Sequence, residues 1–140
     1  MQLQYRARLV KELSQSEFNI PGYNKISQAR ICSTKGGLIT YINEDFKATK
    51  RNELYTKSDI YEALYVEVSG PNMKNGKLTL GNVYRPPRKQ TNLDALAKFI
   101  SEIRPAVNKL RKENSYSFLA GDFNINLLKL KDNTGFNNFF

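Results

Sequence analysis

Tyr116-Ser117-Phe118-Leu119-Ala120-Gly121-Asp122-Phe123-Asn124 is the stretch on which the fold turns. Its first five residues form a short apolar run, as expected of a buried strand. Gly121-Asp122-Phe123-Asn124 follows at the strand's C-terminal end, the end at which layered α/β proteins bind ligands. Just upstream, residues 92–112 carry Leu93, Leu96, Ala97, Ile100, Ile103, Val107 and Leu110 at helical spacing. Thr91 or Asn92 can cap this helix, Asp94 suits its first turn, and Lys109, Arg111 and Lys112 suit its last. Pro105 is expected to kink or divide it. Upstream again, residues 77–84 read as a strand that Pro86-Pro87 stops.

Moving toward the N-terminus, Leu64-Tyr65-Val66-Glu67-Val68 reads as a further strand. The turn signals Gly70-Pro71-Asn72 and Asn75-Gly76 join it to residues 77–84 as an antiparallel hairpin. Residues 43–60 are charged and loop-like, with a short strand near Phe46-Lys47-Ala48. Residues 26–33 and Leu38-Ile39-Thr40-Tyr41-Ile42 form a second hairpin around Gly36-Gly37. In residues 1–17, Leu3, Leu9, Val10 and Leu13 offer one face of a short helix. Thr134 can cap a last helix that begins Gly135-Phe136-Asn137. No internal repeat or linker interrupts the chain.

The 140 residues are 40% hydrophobic and 11% aromatic, enough apolar material for a core, which argues against a disordered protein. The formal net charge is +9. A basic balance suits a polyanion such as nucleic acid, and a lysine-rich surface accounts for it equally well. The charge is spread, with 10 Lys/Arg against 6 acids in residues 1–60 and 12 against 7 in the remainder. The lone cysteine, Cys32, excludes an internal disulfide or a cysteine-based zinc site. The chain has no histidine, so any chemistry rests on carboxylates, amides, tyrosine and a hard metal ion. No run is long and apolar enough for a membrane helix, and residues 1–6 lack a signal-peptide core. The expected setting is intracellular, nuclear or cytoplasmic, with no membrane partner.

Two motifs carry possible chemistry. In Gly121-Asp122-Phe123-Asn124, Asp122 can ligate Mg2+ or take a proton from water, and Asn124 can hydrogen-bond a phosphate oxygen. A polar turn whose Asp and Asn cap backbone groups accounts for the same residues. In Val83-Tyr84-Arg85-Pro86-Pro87, Tyr84 can hydrogen-bond a phosphate and Arg85 can grip one bidentately. An edge tyrosine and a solvated arginine are the plainer reading. Gly36-Gly37 allows close backbone approach or simply a hairpin turn. Glu12, Glu17, Glu62 and Glu67 are read as exposed charges before metal ligands.

Four segments together resemble a known family. Phe18-Asn19-Ile20-Pro21-Gly22-Tyr23, Gly36-Gly37-Leu38-Ile39-Thr40-Tyr41, Gly81-Asn82-Val83-Tyr84-Arg85-Pro86-Pro87 and Gly121-Asp122-Phe123-Asn124-Ile125-Asn126 follow one another in order. Their order and rough spacing are similar to the endonuclease/exonuclease/phosphatase (DNase I-like) superfamily, in its non-LTR retrotransposon endonuclease branch. Each motif alone is weak; the ordered set is specific.

The resemblance implies a partial four-layer α/β sandwich of two mostly antiparallel packed sheets, lacking outer strands at both ends. Residues 18–140 would be the partial domain and residues 1–17 a poorly matched N-terminal segment. It implies a Mg2+-dependent (or Mn2+-dependent) phosphodiesterase that nicks DNA and leaves a 3′ hydroxyl to prime a reverse transcriptase domain of the same polyprotein. Asp122 matches the aspartate that orients or activates water near the metal. Asn124 matches the asparagine that stabilises the charged transition state. Tyr84 matches the tyrosine that bonds the scissile phosphate, and Arg85 is expected in nearby phosphate contact. The family's upstream Asn and Glu and its downstream Asp and Ser-Asp-His motif find no match in this chain. The 140 residues alone are therefore expected to be an inactive internal fragment, with metal ligands other than Asp122 absent. The alternatives are a non-catalytic nucleic-acid-binding remnant and a non-functional gene fragment. The shared core motifs also leave a phosphatase or lipid-phosphate substrate open.

Overall fold

The computed structural model describes residues 18–30, 36–71, 73, 76–87 and 93–125, with only the backbone of Leu93. The expected helical face of residues 1–17, the carboxylates Glu12 and Glu17, the strand position of Cys32, the caps Thr91 and Asn92, Asn126 and the helix after Thr134 all lie outside the described residues.

Strands β1 (Tyr23–Ala29) and β2 (Gly37–Asn43) form a two-stranded antiparallel sheet. A four-stranded sheet follows the order β3 (Lys47–Lys50), β4 (Glu62–Ser69), β5 (Leu78–Tyr84) and β6 (Tyr116–Asp122). The first two of its pairings are antiparallel, and β5 pairs with β6 in parallel. Parallel neighbours need a long crossover. Helix α1 (Leu93–Lys112) lies within that connection. The fold is mixed α/β with two open sheets, consistent with a partial α/β sandwich.

Alternation along the strands builds two cores. On one face of the larger sheet, Ala63, Tyr65, Val83 and the partly buried Leu119 meet Phe99, Ile100, Ile103, Ala106 and Leu110 of α1. On the other face, Leu64, Val66, Val68, Leu80 and Tyr84 meet Leu38 and Ile42 of β2. The buried Asn82 side chain donates to the Ile39 carbonyl at 3.3 Å and so ties the two sheets by a polar contact. Gly81 fits between the layers because a β-carbon there would run into the Leu119 side chain and lie 3.1 Å from the Tyr65 ring.

Helix α1 is unbroken from Leu93 to Lys112, so Pro105 does not divide it. Arg104 and Pro105 are on the exposed side, as is Ser101, whose carbonyl a proline at position 105 leaves without its helical N–H partner. Solvent can satisfy that carbonyl. Strand β6 departs from the buried strand expected of its composition: Tyr116 is 66% exposed and Phe118 56%. The cause is position. β6 ends the sheet order, and the smaller sheet packs over β4 and β5 instead. Strand β1 also begins earlier than expected, at Tyr23.

An arginine fastens the far end of these layers. Arg51 Nη2 lies 2.7 Å from Glu113 Oε1, beyond the end of α1, and Nη1 lies 3.2 Å from Glu113 Oε2. The same guanidinium pairs with Glu53 and reaches Glu67 on β4 at 3.4 Å. Arg51 holds the Glu113 and Glu53 carboxyls below the usual carboxylate range, mainly through its hydrogen bonds to them. A depressed folded-state pKa gives stability that is present above the unfolded value, about 4.3 for glutamate, and is lost as pH falls through the folded value. Arg51→Ala is expected to lower the unfolding free energy at neutral pH by about 1–3 kcal/mol. Urea titrations across pH should show the gap between wild type and variant narrowing below about pH 4; a pH-independent gap would refute the ion-pair origin.

Candidate functional site

The C-terminal ends of β5 and β6 bring the two motifs together. Tyr84 and Asp122 are register partners across the parallel pair. Adjacent parallel strands place such partners on the same face, about 4.8 Å apart at the backbone. The pairing continues one step past the strand, where the Arg85 N–H donates to the Asp122 carbonyl at 2.9 Å.

The turn after Asp122 is clasped to β5 in both directions. The Asn124 amide Nδ2 donates to the Arg85 carbonyl at 2.8 Å. Arg85 Nη1 donates to the Asn124 carbonyl at 3.2 Å and to the Phe123 carbonyl at 3.4 Å. The Asn124 N–H donates to Asp122 Oδ1 at 3.2 Å, closing a turn of the kind Asp side chains favour. Asn124 holds a positive φ of 46°, a conformation asparagine tolerates better than most residues. Side-chain chemistry and backbone geometry thus coincide at one residue.

Tyr84 and Arg85 diverge although they are adjacent. The two-residue period of a strand sends them to opposite faces. Tyr84 joins the core between the sheets. Arg85 turns toward the helix layer, where its Cζ sits 5.7 Å from the Phe99 ring centroid. Its residue is 5% exposed. Phe99 also meets Phe123 and Tyr61 edge to face, at 6.3 and 5.3 Å between centroids. The Gly-Asp-Phe-Asn turn therefore rests on an aromatic and cationic base.

Sequence reasoning missed Arg30 and read Glu62 as an exposed charge, whereas its side chain is 12% exposed and paired with Arg30. Glu62 opens β4 and is the register partner of Tyr84, so Glu62, Tyr84 and Asp122 form one row across three strands. Arg30, just beyond β1, donates from Nε to Glu62 Oε1 at 2.6 Å, and its Nη2 engages the same oxygen. The Arg30 Cζ lies 5.9 Å from the Tyr84 ring centroid. The available signal was the alternation Glu62, Leu64, Val66, Val68, which puts Glu62 on the sheet-facing side of β4. Cross-strand register, which brings it beside Tyr84, leaves no mark in a single sequence.

Among the described residues, no group of three or more His, Cys, Asp or Glu could hold a metal ion by itself. Asp122 offers one carboxylate, and Glu62 is engaged by Arg30. Magnesium keeps several waters and is often held by one or two carboxylates together with substrate phosphate. Asp122 could supply one such carboxylate. A separate, mostly apolar cleft of about 540 Å³ opens at the other end of the seam between the sheets, by Tyr23, Tyr41, Phe46 and Leu78. It includes none of the site residues.

No family model and no curated protein matches this chain.

Gly121 decides whether the two motifs can meet. A β-carbon there would overlap the Val83 carbonyl oxygen and lie 3.0 Å from the Val83 nitrogen. The obstacle is backbone, which cannot rotate aside. Gly121→Ala is expected to destabilise the fold by about 2–3 kcal/mol and to weaken protection of the β5–β6 amides. Chemical denaturation with amide hydrogen exchange would measure both; a change under about 0.5 kcal/mol would contradict this account.

Proposed function

We propose that this sheet end is a phosphodiester-handling site of the endonuclease/exonuclease/phosphatase kind, with DNA as its partner. The observation that carries the reading is the register pairing of Tyr84 with Asp122 on one face. A phenol that can donate to a phosphate oxygen and a carboxylate that can orient water stand side by side there. Asn124 stands beside them, held by its Nδ2 bond to the Arg85 carbonyl. The +9 net charge favours a polyanion. Mg2+ or Mn2+, when bound, would offset charge on the phosphate and make bound water more acidic.

The 140 residues alone are proposed to bind without appreciable cleavage. The chain supplies no imidazole. Loss of one acid/base or electrostatic group typically costs on the order of 10²–10⁴ in rate. A second reading, a non-catalytic nucleic-acid-binding module, is favoured by one observation: Asp122 Oδ1 accepts from the Asn124 N–H and Asn124 Nδ2 donates to the Arg85 carbonyl, so both side chains are already engaged by backbone.

Fluorescence anisotropy with a DNA duplex tests the site. Binding should weaken steeply with salt as counterion release is lost. Tyr84→Phe should weaken it by roughly three- to tenfold through loss of one hydrogen bond. Asp122→Asn should tighten metal-free binding by up to about fivefold, because it removes a negative charge beside the phosphate. Magnesium should tighten binding by the wild type and leave Asp122→Asn unchanged. Absence of binding at low salt, or equal magnesium responses, would reject the reading. Plasmid nicking separates its two forms: magnesium-dependent nicking that Asp122→Ala abolishes would establish an active nuclease in place of a binding module.

A further inference from the structure

We infer that Arg30 is the cation that meets phosphate at this site, and that Glu62 is the residue that positions it. The inference rests on the phosphodiester reading above and adds a residue pair that reading does not contain.

Arg85, the arginine that adjacency to Tyr84 would nominate, is turned to the opposite face and donates to the Phe123 and Asn124 carbonyls. Arg30 stands on the Tyr84 side. Its Cζ lies 5.9 Å from the Tyr84 ring centroid, and its side chain is 28% exposed against 12% for Glu62. Glu62 Oε1 accepts from Nε and engages Nη2, which fixes the plane of the guanidinium. A guanidinium carries more N–H donors than one carboxylate oxygen can take, so a held arginine keeps donors for a second anion. The head is thereby ordered before any ligand arrives, which lowers the entropic cost of using it.

The row Glu62, Tyr84, Asp122 sets the spacing. Its outer members stand on the order of 10 Å apart at the backbone, two strand spacings. Arg30 lies over the Glu62 end, Tyr84 in the middle and the Asp122 carboxylate at the other end. A phosphate on Tyr84 would have a cation on one flank and a water-orienting carboxylate on the other. Gly36 fits the same picture. A β-carbon at Gly36 would lie 3.1 Å from Arg30 Cζ, crowding the guanidinium, and its φ of +103° favours glycine. Gly36, just before β2, leaves room for this arginine.

The test uses the full 140-residue chain and a DNA duplex at low salt. Arg30→Gln should weaken binding by about tenfold and reduce the salt slope by about one contact. Lys112→Gln, an equal charge loss on the exposed end of α1, should change affinity by less than about twofold. Arg30→Lys, which keeps the charge and loses the fork, should fall between wild type and Arg30→Gln. Glu62→Gln should weaken binding by a few-fold despite raising the net charge, and should tighten it in the Arg30→Gln background, where only its repulsion of phosphate remains. Equal effects of Arg30→Gln and Lys112→Gln, or the same sign for Glu62→Gln in both backgrounds, would overturn the inference. If the Arg30 variants do not fold, the Arg30 Nε–Hε resonance of the unaltered chain decides: it should shift on titration with the duplex, and an unmoved resonance would overturn it. Failure of the wild type to bind removes the parent reading and this one together. Binding with an Asp122-dependent magnesium response, alongside an inert Arg30, removes this one alone.

Discussion

Gly121 approaches the Val83 carbonyl so closely that no β-carbon can stand between them. That approach lets β6 pair in parallel with β5, and most of the molecule is arranged around the pairing. A parallel neighbour demands a crossover, and α1 lies within it. The helix then covers the face of β5 that carries Val83, while β2 covers the face that carries Leu80 and Tyr84. Burial on both faces leaves β5 little freedom to slide, because a one-residue shift exchanges the two faces of a strand. The polar ends of β5 and β6 are level because their register pairs Tyr84 with Asp122.

Two arginine-centred clusters mark opposite ends of this sheet, and they differ in kind. Arg51 pairs with Glu53, Glu67 and Glu113, and its charge is answered from within the protein. It acts as a fastener between the sheet and the segment beyond α1. Arg30 meets one carboxylate, beside an aromatic ring and at the Tyr84 and Asp122 end of the strands. The first arrangement satisfies an arginine, and the second orients one.

Element type was legible where periodicity was strong. The alternation and turn signals around Leu64 to Tyr84 give the β4–β5 hairpin, and the spacing from Leu96 to Leu110 gives α1. Exposure was not legible in β6, because Tyr116 and Phe118 look like core residues and only the order of strands shows that they sit at its end. The site was legible as motifs and not as an arrangement. Tyr84 and Asp122 were named from their own sequence neighbourhoods, and the structure sets them in one register. Arg30 and Glu62 are separated by 32 positions, and nothing local to either announces the other. Hydrogen bonds to backbone also explain Asp122 as a turn-former and Asn124 as a clasp onto the end of β5.

The divergence of Tyr84 and Arg85 bears on how such a site tolerates change. Each occupies its face by parity along β5, not by any affinity for its surroundings. Substitutions elsewhere in the strand leave that parity intact, even when they cost stability. A single inserted or deleted residue within β5 inverts it, bringing the guanidinium to the side of the smaller sheet and the phenol under the helix. The site is thus robust to point replacement and fragile to length, so insertions within this strand should be far rarer among viable variants than in the loops that flank it.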